Sequence, residues 1–296
     1  MMDGIHFSIL PTSWRNCTGF SKHFASERIE QYVSFPAEGY NTRSPTPFKS
    51  PRLSESLFFE ARHYTDRALY HIILGKWMIC NSRPTWGLVS FYYSAFFSVQ
   101  AAIRLHGTFF VKVNYDSETN PPPTHQLDVV NLLEGRYQIR QVSKKRGEHQ
   151  RVWAAFYQLF GTVSSRDDWA MFRPITAISE DEERLAEMHR RHLLNYVPGH
   201  GYVELRSPRD ADAWCTKLSA DLPADLAHNI EDDDCQLEVR SLLRLTLCLK
   251  LFNKIAKEGG AYSKHHQAIK ELRLGYLDRF ECPEPLAKRL RSIISE

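Results

Sequence analysis

The spacing of hydrophobic positions predicts that most of the chain beyond residue 54 is helical. From Ser54 to Leu74, apolar residues recur every three or four positions, which is typical of one face of an amphipathic helix. A second helix is expected from Pro84 to Gly107, where serines spaced four apart form a stripe of small side chains that a neighbour can approach closely. The same periodicity predicts further helices at residues 149–160, 208–221, 263–275 and 285–294.

Three stretches give weaker patterns. Residues 236–257 contain leucines that alternate as in a strand, but the length of this run without a breaker before Gly259 favours a largely buried helix. Thr108 to Tyr115 is a β-branched and aromatic run that is either a strand or an extended segment. Thr124 is a typical capping residue, so a helix is expected from His125 to Leu133. The expected fold class is therefore all-α.

Composition divides the chain into three segments. Residues 1–50 are rich in Pro, Ser, Thr and Gly and are expected to form an irregular arm, whose many aromatic residues indicate that it packs against the rest. Residues 51–222 are expected to form a helical bundle, and residues 223–296 are expected to form a C-terminal helical extension.

Composition and charge exclude several classes of protein. With 43% hydrophobic residues among 296, the chain has enough apolar residues for a packed core, which excludes wholesale disorder. Residues 84–103 carry no charge, but their serines, Thr85 and Gln100 favour a buried helix over a membrane span. The six cysteines lack the spacing of a zinc site, and no secretory signal is present, so we expect a cytoplasmic protein with reduced thiols. No metal and no cofactor are predicted.

The segment from Met188 to His200 contains the best candidate site. Its helix begins with a capping box at Ser179 and Glu182 and ends before Pro198 and Gly199. The last two turns of the helix therefore carry side chains that can hold an anion or transfer a proton, which are Arg190, Arg191, His192, Asn195 and Tyr196.

The densest basic region of the chain follows the expected Thr124 helix. A net charge of only +3 means that local clusters, rather than total charge, must carry any case for nucleic-acid binding. An RNA footprint and a solvated loop face are both consistent with this region. Its basic residues are Arg136, Arg140, Lys144, Lys145, Arg146 and Arg151.

Three motifs in this order carry a resemblance to a known family: the uncharged aromatic helix from Phe91 to Gly107, the pair Thr124 and His125, and the segment from Arg191 to Tyr196. Together they resemble the HEPN superfamily over roughly residues 54–222. The resemblance implies an antiparallel all-α bundle that often forms a homodimer. Many members of the family have a metal-independent endoribonuclease site and act in toxin–antitoxin or antiviral defence systems. The resemblance implies the same site and role as expectations for this chain.

That family site consists of an Arg, a polar residue directly after it, and a His five to seven positions on. Arg191 and His192 match the first two elements, but Tyr196 stands five positions after Arg191 and the next His is His200. A tyrosine hydroxyl, with a pKa of about 10, replaces an imidazole poorly as a general base at neutral pH. Continuous helix would separate Arg191 and His200 by about 13 Å, so His200 can act with Arg191 only if the chain reverses.

The resemblance implies a catalytic set of Arg191, His192, Tyr196 and His200, with Arg190, Asn195 and the basic region binding RNA. Structural alternatives stay open: Arg191 can pair with Glu187 one turn earlier, and His192 can be a histidine at the edge of the core. The expected function is RNA binding or metal-independent RNA cleavage. The alternatives are a catalytically inactive interaction module in a homodimer or larger complex, and a nucleotide-sensing domain.

Overall fold

The structure is a computed structural model, which describes Trp14, Cys17 and residues 47–112, 124–131, 134–142, 147–161, 167–176, 181–197, 200–219 and 233–296. Within these residues the protein is predominantly α-helical, as predicted, with a small antiparallel sheet. The α-helices are α1 (Pro51–Cys80), α2 (Pro84–Leu105), α3 (Glu148–Phe160), α4 (Arg173–Thr176), α5 (Asp181–Tyr196), α6 (Val203–Arg206), α7 (Pro208–Ser219), α8 (Asp233–Lys257), α9 (Ser263–Arg279) and α10 (Glu284–Ser295). The strands are β1 (Phe48–Lys49), β2 (Phe109–Lys112), β3 (Thr124–Asn131) and β4 (Arg136–Gln141).

Local signals explain where α2 begins and ends. Pro84 occupies its first position, where the fixed φ of proline suits a helix and the missing N–H costs nothing. Gly107 follows its end with a left-handed φ of 80°, and the N–H of Thr108 donates to the carbonyl of Ile103 at 2.9 Å. The leucine-rich residues 236–257 lie in α8, so the choice of a helix there is confirmed.

The small side chains of α2 allow close packing against α1, as predicted. Ser94 Oγ donates to the carbonyl of Ala68 at 2.9 Å. A Cβ added to Gly75 would lie 2.7 Å from the ring of Phe91, so the two helices approach closely at this glycine.

The helix predicted from His125 to Leu133 is wrong, because Thr124–Asn131 forms strand β3. The sheet has the order β1-β4-β3-β2, and its neighbouring strands are antiparallel. Strand β4 lies in the basic region, where buried Tyr137 and Ile139 alternate with polar residues. Pairing with strands on both sides overrides the capping signal of Thr124.

The residues group into two compact units by packing. Unit 1 comprises residues 1–64, 100–155 and 251–266, and unit 2 comprises residues 65–99, 156–250 and 267–296. These units are defined by contacts, whereas the division into 1–50, 51–222 and 223–296 follows the chain and stays a prediction. Within the described part of the chain, no helix is long and apolar enough to span a membrane.

The core of unit 1 includes an aromatic cluster around Phe58. The ring centroid of Phe58 lies 5.4 Å from that of Trp14, 5.4 Å from that of Phe252 and 4.9 Å from that of Tyr262. The indole Nε1 of Trp14 donates to the carbonyl of Leu105 at 2.7 Å, and the side chain is fully buried. Trp14 therefore packs within the core of unit 1, whereas the other aromatic residues of the predicted arm up to Tyr40 lie outside the described residues, so the packing of the arm as a whole stays a prediction.

Candidate functional site

Helix α5 is attached to α8 by two ion pairs within unit 2. Glu187 accepts from Arg244 Nη1 at 2.6 and 2.8 Å, and the Arg244 side chain has no exposed surface. Arg190 forms a two-point contact with Asp234, in which both N–O distances are 2.7 Å. The alternative that paired Arg191 with Glu187 is therefore wrong, because Glu187 faces Arg244. These contacts also fix the rotation of α5 about its axis.

Arg191 lies among aromatic side chains. Its guanidinium carbon is 5.3 Å from the ring centroid of Tyr92 and 5.8 Å from that of Tyr196. Its Nη1 donates to Tyr93 Oη at 3.4 Å, which is a weak hydrogen bond. Among the described residues, no carboxylate pairs with Arg191, and its Nε is buried without a hydrogen-bond partner. The site therefore holds a half-buried cation that a bound anion could satisfy.

Three further candidate side chains lie with Arg191 in the last two turns of α5. Asn195 Oδ1 is buried and has no hydrogen-bond partner among the described residues. His192 is exposed, so the interpretation of this residue as a core-edge histidine is wrong. Its ring centroid lies 5.3 Å from that of Tyr196, whose side chain is 64% exposed. The helix end thus combines a cation, a free acceptor and two exposed rings.

Beyond residues 198–199, which lie outside the described residues, the chain returns to the end of α5, as the role suggested for His200 requires. The N–H of His200 donates to the carbonyl of Val197 at 3.3 Å. Gly201 lies so close to the carbonyl of Leu194 that a Cβ on Gly201 would overlap it. His200 is exposed and makes no contact with Arg191 among the described residues. Its catalytic role stays a prediction, as does that of Tyr196.

A shallow groove of about 360 Å³ opens beside the end of α5. Asn195 and Tyr196 form one wall, and Tyr202, Leu205 and Arg206 contribute to the remainder. The volume lies at the small end of the range for ligand sites. No group of three or more His, Cys, Asp or Glu residues is placed to hold a metal ion within the described ranges.

The structure describes only part of the basic region. Lys144, Lys145 and Arg146 lie outside the described residues. Arg136 is exposed and lies 3.6 Å from Glu134, and Arg140 belongs to β4, but its side chain is not among those described. Arg151 is half-buried in α3, and the whole region belongs to unit 1, whereas Arg191 belongs to unit 2. Its binding of RNA stays a prediction.

Sequence reasoning missed the residues of α1 and α2 that lie beside Arg191. The ring centroid of His71 is 5.7 Å from that of Tyr93 and 5.3 Å from that of Phe97. Burial, followed by the charge of Arg67, lowers the pKa of His71 to about 4. The available signal was spacing, since Arg67 and His71 are four apart and so are Tyr93 and Phe97. Each pair therefore shares one helix face.

Comparison with protein-family models, with curated proteins and with solved structures finds no match for this chain. The HEPN resemblance of residues 54–222 thus stays a prediction.

Proposed function

We propose that this protein is a HEPN-like RNA-binding protein that holds a backbone phosphate at Arg191. The observation that carries this proposal is the contrast between neighbouring arginines. Arg190 is neutralised by Asp234 and Arg244 by Glu187. Arg191 lies on aromatic rings, and no carboxylate pairs with it among the described residues. A guanidinium in this setting suits phosphate, because its planar donors match two phosphate oxygens.

The groups next to Arg191 favour RNA over other phosphate-containing ligands. Asn195 Oδ1 is a buried acceptor without a partner, and a ribose 2′-hydroxyl can donate to it. The exposed rings of His192 and Tyr196 offer a surface on which a base can stack. One nucleotide of RNA supplies the phosphate, the hydroxyl and the base that this arrangement can bind.

Metal-independent cleavage of the bound RNA is a second candidate activity, favoured by the exposure of His192 directly after Arg191. In this mechanism the imidazole accepts the proton of the 2′-hydroxyl, whose oxygen attacks the phosphorus atom held by Arg191. The bond to the 5′-oxygen breaks, and this oxygen takes a proton from solvent water while the imidazolium of His192 returns its proton to the solvent, giving a 2′,3′-cyclic phosphate and a 5′-hydroxyl. A role in toxin–antitoxin or antiviral defence systems is proposed on the HEPN resemblance alone.

RNA binding is tested by fluorescence anisotropy with a labelled single-stranded RNA in a chelating buffer. Arg191→Ala is expected to weaken binding about tenfold or more, because it removes a charge-assisted contact worth about 1.5–3 kcal/mol. Arg209→Ala serves as the matched control, since Arg209 is an exposed arginine of α7. The proposal fails if the folded wild type does not bind RNA, or if both variants bind as tightly as the wild type.

Cleavage is tested on the same RNA without metal. His192→Ala is expected to form no cyclic phosphate and to lose less RNA binding than Arg191→Ala, because Tyr196 still offers a ring on which a base can stack. If the wild type binds RNA and leaves it intact, binding is the whole activity. If it binds a mononucleotide as tightly as RNA, the nucleotide-sensing function replaces the proposed one. If the wild type binds neither RNA nor a mononucleotide and forms a stable homodimer or partner complex, the function as an interaction module replaces the proposed one.

A further inference from the structure

The aromatic contacts around Arg191 continue away from α5 along α1 and α2. We call the connected set the aromatic–arginine strip, and all of its members belong to unit 2. Its members are Arg67, His71, Tyr93, Phe97, Arg191, His192 and Tyr196.

Close contacts join the members of the strip from one end to the other. The guanidinium carbon of Arg67 lies 5.8 Å from the ring centroid of Phe97, and that ring lies 6.1 Å from the ring of Tyr93. Tyr93 accepts the weak hydrogen bond from Arg191, which in turn lies over Tyr196. Successive members are therefore in contact or nearly so, with no gap along the strip.

None of the strip's side chains belongs to the buried core. Arg67, His192 and Tyr196 are exposed, and the remaining four side chains are half-buried. A core aromatic cluster would be closed to a ligand, as the cluster around Phe58 is in unit 1. Each member of the strip instead keeps part of its surface exposed.

The strip combines two permanently charged side chains, Arg67 and Arg191, with a series of aromatic rings. His71 acts here as a ring, because its pKa of about 4 leaves the imidazole neutral at pH 7. Proteins that bind single-stranded nucleic acid use this combination, in which bases stack on aromatic side chains and arginines neutralise phosphates. A duplex hides the faces of its bases, so it cannot stack in the same way.

We propose that the aromatic–arginine strip binds consecutive nucleotides of single-stranded RNA, with Arg67 as a second phosphate contact and Phe97 and Tyr93 as stacking surfaces. This inference rests on the proposed function, because it extends the RNA from the phosphate at Arg191. It makes the substrate a single strand longer than two nucleotides.

The test measures anisotropy of the full chain with three labelled RNAs: a dinucleotide, a single-stranded dodecanucleotide and the same dodecanucleotide as a duplex. Arg67→Ala and Phe97→Ala are expected to weaken binding of the single-stranded dodecanucleotide by about fivefold or more, as for the loss of a stacking contact. Binding of the dinucleotide is expected to stay unchanged. Circular dichroism checks folding, and Arg67→Ala decides the test if Phe97→Ala does not fold.

Arg83→Ala is the matched control. Arg83 is exposed and lies 6.0 Å from the ring centroid of Trp77, so it forms the same kind of pair outside the strip. The strip is overturned if Arg67→Ala binds the dodecanucleotide as the wild type does, or if the duplex binds as tightly as the single strand. In both cases a loss of binding in Arg191→Ala would leave the proposed function intact. Absence of RNA binding by the wild type would remove both.

Discussion

Arg244 shows how much the position of a single charged residue matters in this protein. Its side chain is fully buried, and it donates to Glu187 on α5 and to the hydroxyl of Tyr157, at 3.3 Å. Removing one partner of such a pair leaves a buried charge without compensation, whereas removing both leaves none. The pair therefore controls the attachment of α5, and with it the setting of Arg191.

Arg244→Met is expected to lower the free energy of unfolding by about 3–5 kcal/mol. The double variant Arg244→Met with Glu187→Leu is expected to recover most of this loss, because no buried charge is left unpaired. Urea denaturation followed by circular dichroism measures both. Arg291→Met is the control, since Arg291 pairs with Asp278 at the surface and such pairs contribute about 1 kcal/mol or less. Equal losses in Arg244→Met and Arg291→Met would contradict the prediction.

The arginines also show what could be predicted at this scale. The helix end at Tyr196 and the candidate residues of its last turns follow from local signals, so they could be identified in advance. The ion-pair partner of each charged residue could not be identified in advance. Glu187 stands one turn before Arg191 but pairs with Arg244, which is 57 positions further along the chain. The packing of helices against each other selects such partners. Residue spacing within one helix carries no information about that packing.

At the scale of the element, the reversal after α5 depends on Gly201. A Cβ at this position would overlap the carbonyl of Leu194, and a backbone atom cannot move aside as a flexible side chain can. The turn continues through Tyr202, whose N–H donates to Thr85 Oγ1 at 2.8 Å. The end of α5 and the groove beside it are therefore held by one close backbone contact.

Gly201→Ala is expected to lower stability by about 1–3 kcal/mol, because the turn must open to accommodate the methyl group. Gly275→Ala is expected to raise it by about 0.5–1 kcal/mol, since Gly275 lies within α9 and a Cβ there meets nothing within 4 Å. Thermal unfolding of the two variants gives the comparison. A melting temperature that rises in both would show that Gly201 is not constrained.

The elements themselves were predictable where one periodicity dominates. The helical spacing of α1 and α3 was sufficient, because each of these helices buries one continuous face, and the length of the uncharged run was sufficient for α2, which is buried on nearly all sides. Strands β3 and β4 were missed, although Tyr137 and Ile139 alternate with polar residues. A short strand becomes stable only when its neighbours pair with it, and β3 needs both β2 and β4. Such pairing is not visible in either strand alone.

For the whole molecule, the described part of each unit contains a histidine whose lowered pKa makes stability depend on pH. Burial lowers the pKa of His71 in unit 2 and of His106 in unit 1 to about 4, against 6.5 for an ordinary histidine. For His106, a backbone hydrogen bond and the charge of Asp128 partly oppose the effect of burial. Below pH 6.5 the unfolded chain takes up protons that the folded chain excludes, so stability falls as the pH drops towards 4.

His106→Gln is expected to reduce this loss of stability, because the amide does not titrate. The difference between the melting temperatures at pH 7 and pH 4.5 measures it, and this difference should be smaller in the variant than in the wild type. His200→Gln is the control, since His200 is exposed in the turn after α5. An unchanged difference in His106→Gln would mean that His106 takes up its proton in the folded state.

The class of fold was predictable for the whole molecule, but its division into units was not. Helical periodicity is a local property, and it accounts for most of the described chain. Each unit, by contrast, is assembled from three separate stretches of sequence. Composition changes along the chain cannot reveal such a grouping, because it arises when distant stretches bury their apolar faces together.

The small number of fixed charges in the aromatic–arginine strip determines how its RNA complex responds to salt. Each phosphate of a single strand that a protein neutralises releases about 0.7 counterions, so Arg67 and Arg191 together release about 1.4. A rise in salt from about 50 to about 200 mM would then weaken binding at the strip only about sevenfold, against a thousandfold or more for surfaces with six to ten phosphate contacts. RNA held there by stacking would stay bound at ionic strengths that release a purely electrostatic ligand.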